Sequence, residues 1–455
     1  MMPGFDAKEQ LSCRSQIVRG ISELVKIPTV YDAATVTDKM PYGKNIYEGY
    51  LWLKEKALAD GFEVLEYDGH ALAIRRKENE AKKRIDVVSH VDVVEPGAGW
   101  RKDPFSGEIT RNYIYGRGTQ DMKGSLIVTY YALKYMKEHN IPSRNEIRIV
   151  IGCDEERTME DIRYYISKAG EPDFAFTPDG KFPFSLGEKG ALMWQIRGSM
   201  DTCMEELDGG VQCNVVSPIA EAVLCDAGNY EKYCRILADS KYDGEVTREK
   251  DKLKLRIAGR AAHASRPQDG VNATVRLLEL VWKVGSDPLA GHLYRCFADY
   301  YGKGVNICCD IEPMGKLTVN LGRLRLKDKA ITAEIDCRYP YGISSGILTE
   351  RLQKALEPLH AELAYDDRPT LADANSSYIK CLFDSYRQVS GDMTAEPVIS
   401  GGVTYSKAIG NCVAFGPMTV SDKPLAHQAN ERIGRKSIDL LFKIYTETMI
   451  RLGNL

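Results

Sequence analysis

The sequence has no apolar run that approaches the length of a membrane span. Its opening stretch, MMPGFDAKEQLSCRSQIVRGISELVKI, carries charges throughout and contains no continuous apolar segment of the signal-peptide kind. A soluble, cytoplasmic protein without a membrane partner is therefore expected. Positive charge is not in excess either. A formal net charge of −3 and a pI near 6.2 argue against nucleic acid as the main partner, since a phosphate backbone calls for a clustered basic face, and favour a small molecule or peptide. The twelve cysteines include no CxxC pair, and they are scattered along a long chain without a secretion signal. Reduced, mostly buried and non-catalytic thiols are expected. The Gly-rich stretch at Gly116 and Gly118 completes neither a GxGxxG fingerprint nor a phosphate-loop pattern, so it is not read as a nucleotide site. Internal repeats, low-complexity tracts and long flexible linkers are also missing.

What is present fits two globular domains. A chain of 455 residues is too long for one ordinary domain, and 44% hydrophobic with 27% charged residues supports a sizeable core. Apolar spacing predicts helices over about 15–25 and 47–58. FEVLEYDGHALAIRR reads as a hairpin with Asp-Gly at its turn. RIDVVSHVDVV is a β-branched run that ends at the first metal-type motif, EIRIVIGCDEE is a buried run that ends in acids, and the long amphipathic helix SLIVTYYALKYMKEHN lies between them. This alternation predicts an α/β fold on a largely parallel sheet, with the chemistry at the strand C-termini. From about 187 to 370 the pattern changes to antiparallel strands such as KLKLRIAGR and KAITAEIDCRYP with helices such as VNATVRLLELVWKV, an α+β domain. The first domain is then 1–186 plus 371–455, and the second is an insertion.

Residues suited to metal stand at the ends of these runs: His90-Val91-Asp92, Asp121 in GRGTQDMKG, the pair Glu155-Glu156, Asp179 in FTPDG, and His427 in LAHQANE. Two imidazoles with several carboxylates suit a pair of zinc ions sharing one bridging carboxylate. Residues two apart in a strand point the same way, so Asp92 can sit behind the His90 imidazole and accept its other N–H. Adjacent acids on an extended segment diverge, which lets one of Glu155 and Glu156 ligate metal while the other faces substrate. Each feature alone has a plainer reading: a structural HxD pair, a solvated acidic turn, a Pro-Asp-Gly turn, a capping histidine. Their joint occurrence in this order argues for a hydrolase.

The ordered motifs SHVDVVEPGAGWRKDPF, GRGTQDMKG, DEE, FTPDGKFP with GEKG, and HQANE resemble the di-zinc metallopeptidase family of aminoacylase, carboxypeptidase G and succinyl-diaminopimelate desuccinylase. Within it they are most similar to the PepV-type dipeptidases. The resemblance implies a zinc-exopeptidase-like catalytic domain and an inserted lid. It implies that His90, Asp121 and Asp179 bind one metal and Asp121, Glu156 and His427 the other, two zinc ions with manganese or cobalt as substitutes. Asp92 would orient His90, and Glu155 would be the general base and acid. GRAAHASRPQDGVNA matches the family segment whose histidine, here His263, reaches the scissile carbonyl oxygen. Asn214 in VQCNVV and Arg338 in DCRYP fall where such enzymes grip the substrate carboxylate, although Arg338 has a plain alternative partner in Asp336. The implied activity is hydrolysis of small dipeptides. An N-acyl amino acid deacylase or desuccinylase on the same metals is the alternative within hydrolases, and a non-catalytic binding protein of the same fold is the alternative outside them. The resemblance further implies a cis peptide between Asp121 and Met122, and a working monomer, since the dimeric relatives have smaller lids. GGVTYSK departs from the pattern at Val403 and Ser406, where Val403 can narrow the substrate pocket.

Overall fold

A computed structural model describes residues 7–77, 81–240, 242–419 and 422–455. The chain divides into two compact units, Met1–Gly187 with Ala372–Leu455, and Glu188–Leu371. Among the described residues no helix is long and apolar enough to cross a membrane.

The first unit is built on a six-stranded sheet in the order Glu63–Tyr67, Ala71–Arg75, Glu146–Gly152, Arg84–His90, Phe174–Thr177, Cys412–Ala414. The last three joins are parallel, as expected, and the first two, on the side of the hairpin, are antiparallel. The cause is local. Asp68 (φ 49°) and Gly69 (φ 78°) form a two-residue turn of left-handed residues, which can only fold a strand back beside its predecessor. Both sheet faces are buried, as the period of two requires. Ile85, Val87, Ile147, Ile149 and Ile151 join one apolar cluster, while Val88, Val150, Ala71 and Ala73 join the cluster on the other face.

The helix Lys123–Glu138 is buried almost all round from Lys123 to Met136, not amphipathic as its sequence reads. Helices Ala7–Val25 and Arg435–Leu452 pack against it, so its polar positions are satisfied internally. Lys123, fully buried, donates from Nζ to the carbonyls of Ile27 at 2.8 Å and Leu24 at 3.3 Å. Burial pulls this ammonium down to about 7.

The second unit is an eight-stranded sheet in the order Gly244–Glu249, Lys252–Ala258, Ile219–Leu224, Met204–Gly209, Thr318–Lys327, Ala330–Tyr339, Gly190–Gly198, His360–Asp367. Every join is antiparallel. In Lys252–Ala258 the buried residues are Leu253, Leu255 and Ile257, and the intervening Lys254 and Arg256 are exposed. One face therefore joins the apolar core made with helices Tyr230–Ser240, Ala273–Gly285, Pro288–Phe297 and Ser345–Leu356. Helix starts carry side-chain caps: Asn272 accepts the Val275 N–H at 3.2 Å and Asp287 that of Ala290 at 2.8 Å.

No disulfide joins the twelve cysteines, but only five are buried; five are half-buried, and Cys225 and Cys308 are exposed. The expectation of mostly buried thiols is corrected here; Cys308, for one, sits in a loop before the short strand Asp310–Ile311.

Ile149 is fully buried in the centre of the mixed sheet. Ile149→Ala is expected to destabilise the first unit by about 2–5 kcal/mol through lost burial and the cavity it leaves, measured by urea unfolding. Ile347→Ala, at a position 45% exposed, should stay within about 0.5 kcal/mol.

Candidate active site

Three adjacent parallel strands deliver the site residues at their carboxyl ends. His90 is the last residue of Arg84–His90 and pairs in register with Gly152, the end of Glu146–Gly152, after which Asp154, Glu155 and Glu156 follow. Asp179 comes two residues after Phe174–Thr177. Crevices at such strand ends are where open α/β sheets place their chemistry. Asp121 arrives from the Gly-rich turn before helix Lys123–Glu138, where Gly118 takes φ 89°. The Asp121–Met122 peptide is cis. His427 arrives from a turn with φ 61°. Gly152 is required for close approach, since a Cβ there would lie 2.0 Å from the Tyr405 hydroxyl.

These residues converge. His90 Nε2 lies 3.2 Å from Asp121 Oδ1 and 3.7 Å from Asp179 Oδ2, and His427 Nε2 lies 3.1 Å from Asp121 Oδ2. One carboxylate thus presents one oxygen to each imidazole. His427 Nε2 is also 3.1 Å from Glu156, and Glu155 Oε2 is 3.9 Å from His90 Nε2. The donor atoms of His90, Asp121 and Glu156 lie within 4.8 Å of one another, as do those of His90, Glu155 and Asp179. Four carboxylates and two imidazoles therefore form one cluster.

The groups fit divalent cations. His90 is fully buried, yet its Nε2 makes no hydrogen bond, and Glu155 Oε1 is buried in the same condition. Buried polar atoms normally find partners. An imidazole lone pair aimed among carboxylates is the donor set that zinc, manganese or cobalt takes.

Two orientations differ from expectation. The His90 Nδ1 hydrogen is directed at the backbone carbonyl of Asp92 at 2.9 Å, with the Asp92 carboxylate farther away at 3.4 Å. The Asp92 carboxylate instead accepts the backbone N–H groups of Glu155 at 3.3 Å and Glu156 at 3.1 Å. The strand ends at His90, so strict alternation no longer governs Asp92. Glu155 and Glu156 lie in a turn and not on an extended segment, and the Asp92 contacts fix that turn.

Electrostatics follow from crowding. Hydrogen bonds to Asp121 and Glu156 push His427 up to about 11. Burial and the Asp121 charge raise Glu156 to about 7. Burial opposes ionisation of Asp121, but His427 and His90 outweigh it and hold that carboxyl well below the usual range. Burial first, then neighbouring acids, pushes Glu155 well above the ordinary glutamic range.

Further residues support this cluster, and two of them, Tyr405 and Asp161, were not named from the sequence. Met122 Sδ accepts the His90 backbone N–H at 3.4 Å. Tyr405 sets its ring edge-on to His90 at 6.1 Å and donates its hydroxyl to buried Asp161, which also accepts the Asp154 N–H at 2.8 Å. Val403 packs against the apolar cluster around Tyr405, and Ser406 is buried. GGVTYSK was a signal for Tyr405; Asp161, inside a helix, carried none.

The other expected residues lie in the second unit. His263 is exposed, its Nδ1 is 2.8 Å from Ser265 Oγ, and its backbone bridges to Val215. The Ala264 N–H donates to the Asn214 carbonyl at 2.9 Å, so these two segments are neighbours. Arg338 is held by Asp336 through Nε at 3.0 Å and Nη2 at 2.8 Å.

Residues 87–451 match the description Peptidase family M20/M25/M40. A Bacillus subtilis (strain 168) protein called "Putative dipeptidase YtjP" is 31% identical over 98% of this chain and 99% of its own length. A Staphylococcus epidermidis (strain ATCC 12228 / FDA PCI 1200) protein with a similar dipeptidase name is 29% identical over 97% and 98%. In fold, the chain resembles human carnosine dipeptidase 1, with a TM-score of 0.60 at 13% identity over 98% of both chains. It equally resembles the di-peptidase Dug1p of Saccharomyces cerevisiae, with a TM-score of 0.60 at 14% identity over 98% of this chain and 97% of that one. The chain belongs to peptidase family M20/M25/M40, hydrolases of peptide bonds that use divalent metal.

A cation taken up among Glu156 and His427, both raised in proton affinity, would displace protons from them, so uptake should release protons. Affinity is expected to rise from pH 6 to pH 8. Calorimetric titration of the metal-free protein in two buffers of different ionisation enthalpy measures both effects.

Proposed function

We propose that this chain is a dipeptidase working with two zinc ions, and that its substrates are small dipeptides. The observation that carries the proposal is the Asp121 carboxylate, with Oδ1 3.2 Å from His90 and Oδ2 3.1 Å from His427. His90, Asp121, Glu156, Asp179 and His427 are the proposed ligands, with Asp121 shared. Bound cations supply the positive charge that acidifies water and polarises a carbonyl. Glu155 then takes the water's proton and passes it to the leaving amine. Its Oε2 lies 3.9 Å from His90 Nε2, beside the proposed ligands. Asp92 would orient His90, with its carbonyl 2.9 Å and its carboxylate 3.4 Å from Nδ1, and it holds the turn that aims Glu155 and Glu156.

Segment 188–371 is proposed as a lid inserted in the catalytic domain. His263 would donate to the scissile carbonyl oxygen, and Asn214 with Arg338 would hold the free carboxylate, limiting substrate length. The proposed working unit is a cytosolic monomer.

Glu155→Gln is expected to keep metal and fold and to lose about 10²–10⁴-fold in turnover, since an amide cannot relay a proton. Near-normal turnover of the purified variant removes Glu155 from this role. Dipeptides should be cleaved and their N-acetylated forms should not; the reverse preference identifies a deacylase. Mixing His263→Ala with Glu155→Gln should yield no activity if His263 acts within its own chain. Recovery on mixing shows exchange between subunits and rejects the monomer.

A further inference from the structure

The two ligand-bearing turns are far apart in sequence, yet one buried ion pair fastens them. Arg117 Nη1 and Glu431 Oε2 are 2.7 Å apart, with side chains 2% and 0% exposed. Arg117 follows the Gly116 turn that leads to Asp121, and Glu431 follows His427 by four residues. The second oxygen of Glu431 accepts the backbone N–H of Gln120 at 2.8 Å and of Asp121 at 3.3 Å. A charge 310 positions away thus holds the backbone of the shared carboxylate.

A second clasp runs the other way. Gln120 Nε2 donates to the carbonyls of Lys423 at 3.1 Å and Arg432 at 3.0 Å, and its Oε1 accepts the Leu425 N–H at 2.8 Å. These contacts close both ends of the segment that carries His427. Short strands Tyr113–Tyr115 and Arg432–Gly434 pair beside it, and the Gly116 N–H donates to the Glu431 carbonyl at 3.0 Å. Arg117 also leans on the chain after His90, with Nη2 3.3 Å from the Pro96 carbonyl.

We infer that Glu431 and Gln120 are positioning residues of the metal centre: they lock the Asp121 turn to the His427 turn, so that the shared carboxylate faces both imidazoles before a cation binds. This rests on the metal-centre reading proposed above. Neither residue reaches the donor cluster with its own side chain; each acts through backbone groups of the turns that do. Pre-organisation of this kind reduces the ordering that a cation must otherwise impose.

The test titrates cobalt(II) into the metal-free full-length protein and follows visible absorption and heat, with the thermal midpoint of the metal-free protein as a separate readout. Gln120→Ala removes only the clasp on residues 423–432. Glu431→Gln removes the charge paired with Arg117 but keeps an oxygen for the two backbone N–H groups. Both are expected to bind cobalt about 10–100-fold more weakly with an altered visible spectrum, and Gln120→Ala to do so at a near-wild-type thermal midpoint. Wild-type affinity and spectrum in Gln120→Ala overturn the inference, whether or not Glu431→Gln folds. A wild-type protein that takes up no cobalt overturns the metal-centre reading itself, whereas tight wild-type binding with unaffected variants overturns only the lock.

Discussion

Four carboxylates gathered within a few ångströms repel one another, and here most of them are withdrawn from water. At such distances like charges cannot all ionise without compensation. Protons on His427, Glu156 and Glu155 supply it in the protein alone, as their raised proton affinities express. Two dications supply it better. The rest of the first unit serves to hold this unfavourable grouping together: parallel strands bring His90, the Glu155 turn and Asp179 to one edge, and the Asp121 turn is fastened across it to the His427 turn.

The surrounding bonds explain why the grouping does not relax. Asp92 spends its carboxylate on two backbone N–H groups of the acidic turn. Asp161 does the same one step earlier, at Asp154, while Tyr405 caps it. Carboxylates paired with backbone donors are fixed in place, so those that remain are directed at His90 and His427. A buried framework of this kind leaves the site little freedom to spread its charges apart.

Much of this was legible in the sequence. The strand runs that lead to His90 and to Glu155 are written as β-branched blocks with polar residues at their ends, and the Asp68-Gly69 turn announces its hairpin. The ordered motifs then identified the family. Tertiary contacts were not legible. Arg117 and Glu431 are 314 positions apart, and neither motif states that its charge is buried against the other. The preference of His90 Nδ1 for a backbone carbonyl depends on where the strand stops, which period-two reasoning does not specify. The helix Lys123–Glu138 reads as amphipathic because its tyrosines count as polar, yet packing against two other helices buries them. The mixed sheet had a visible cause in its hairpin, but the antiparallel join of Ala71–Arg75 to Glu146–Gly152 did not.

The central claim is that Asp121 is shared between two cations. A crystal of the protein grown with zinc, measured on both sides of the zinc absorption edge, tests it most directly. The account predicts two anomalous peaks roughly 3.5–4 Å apart, one beside each oxygen of Asp121, with His90 and His427 on different peaks. A single peak, or peaks that leave Asp121 uncoordinated while the protein is active, would contradict it.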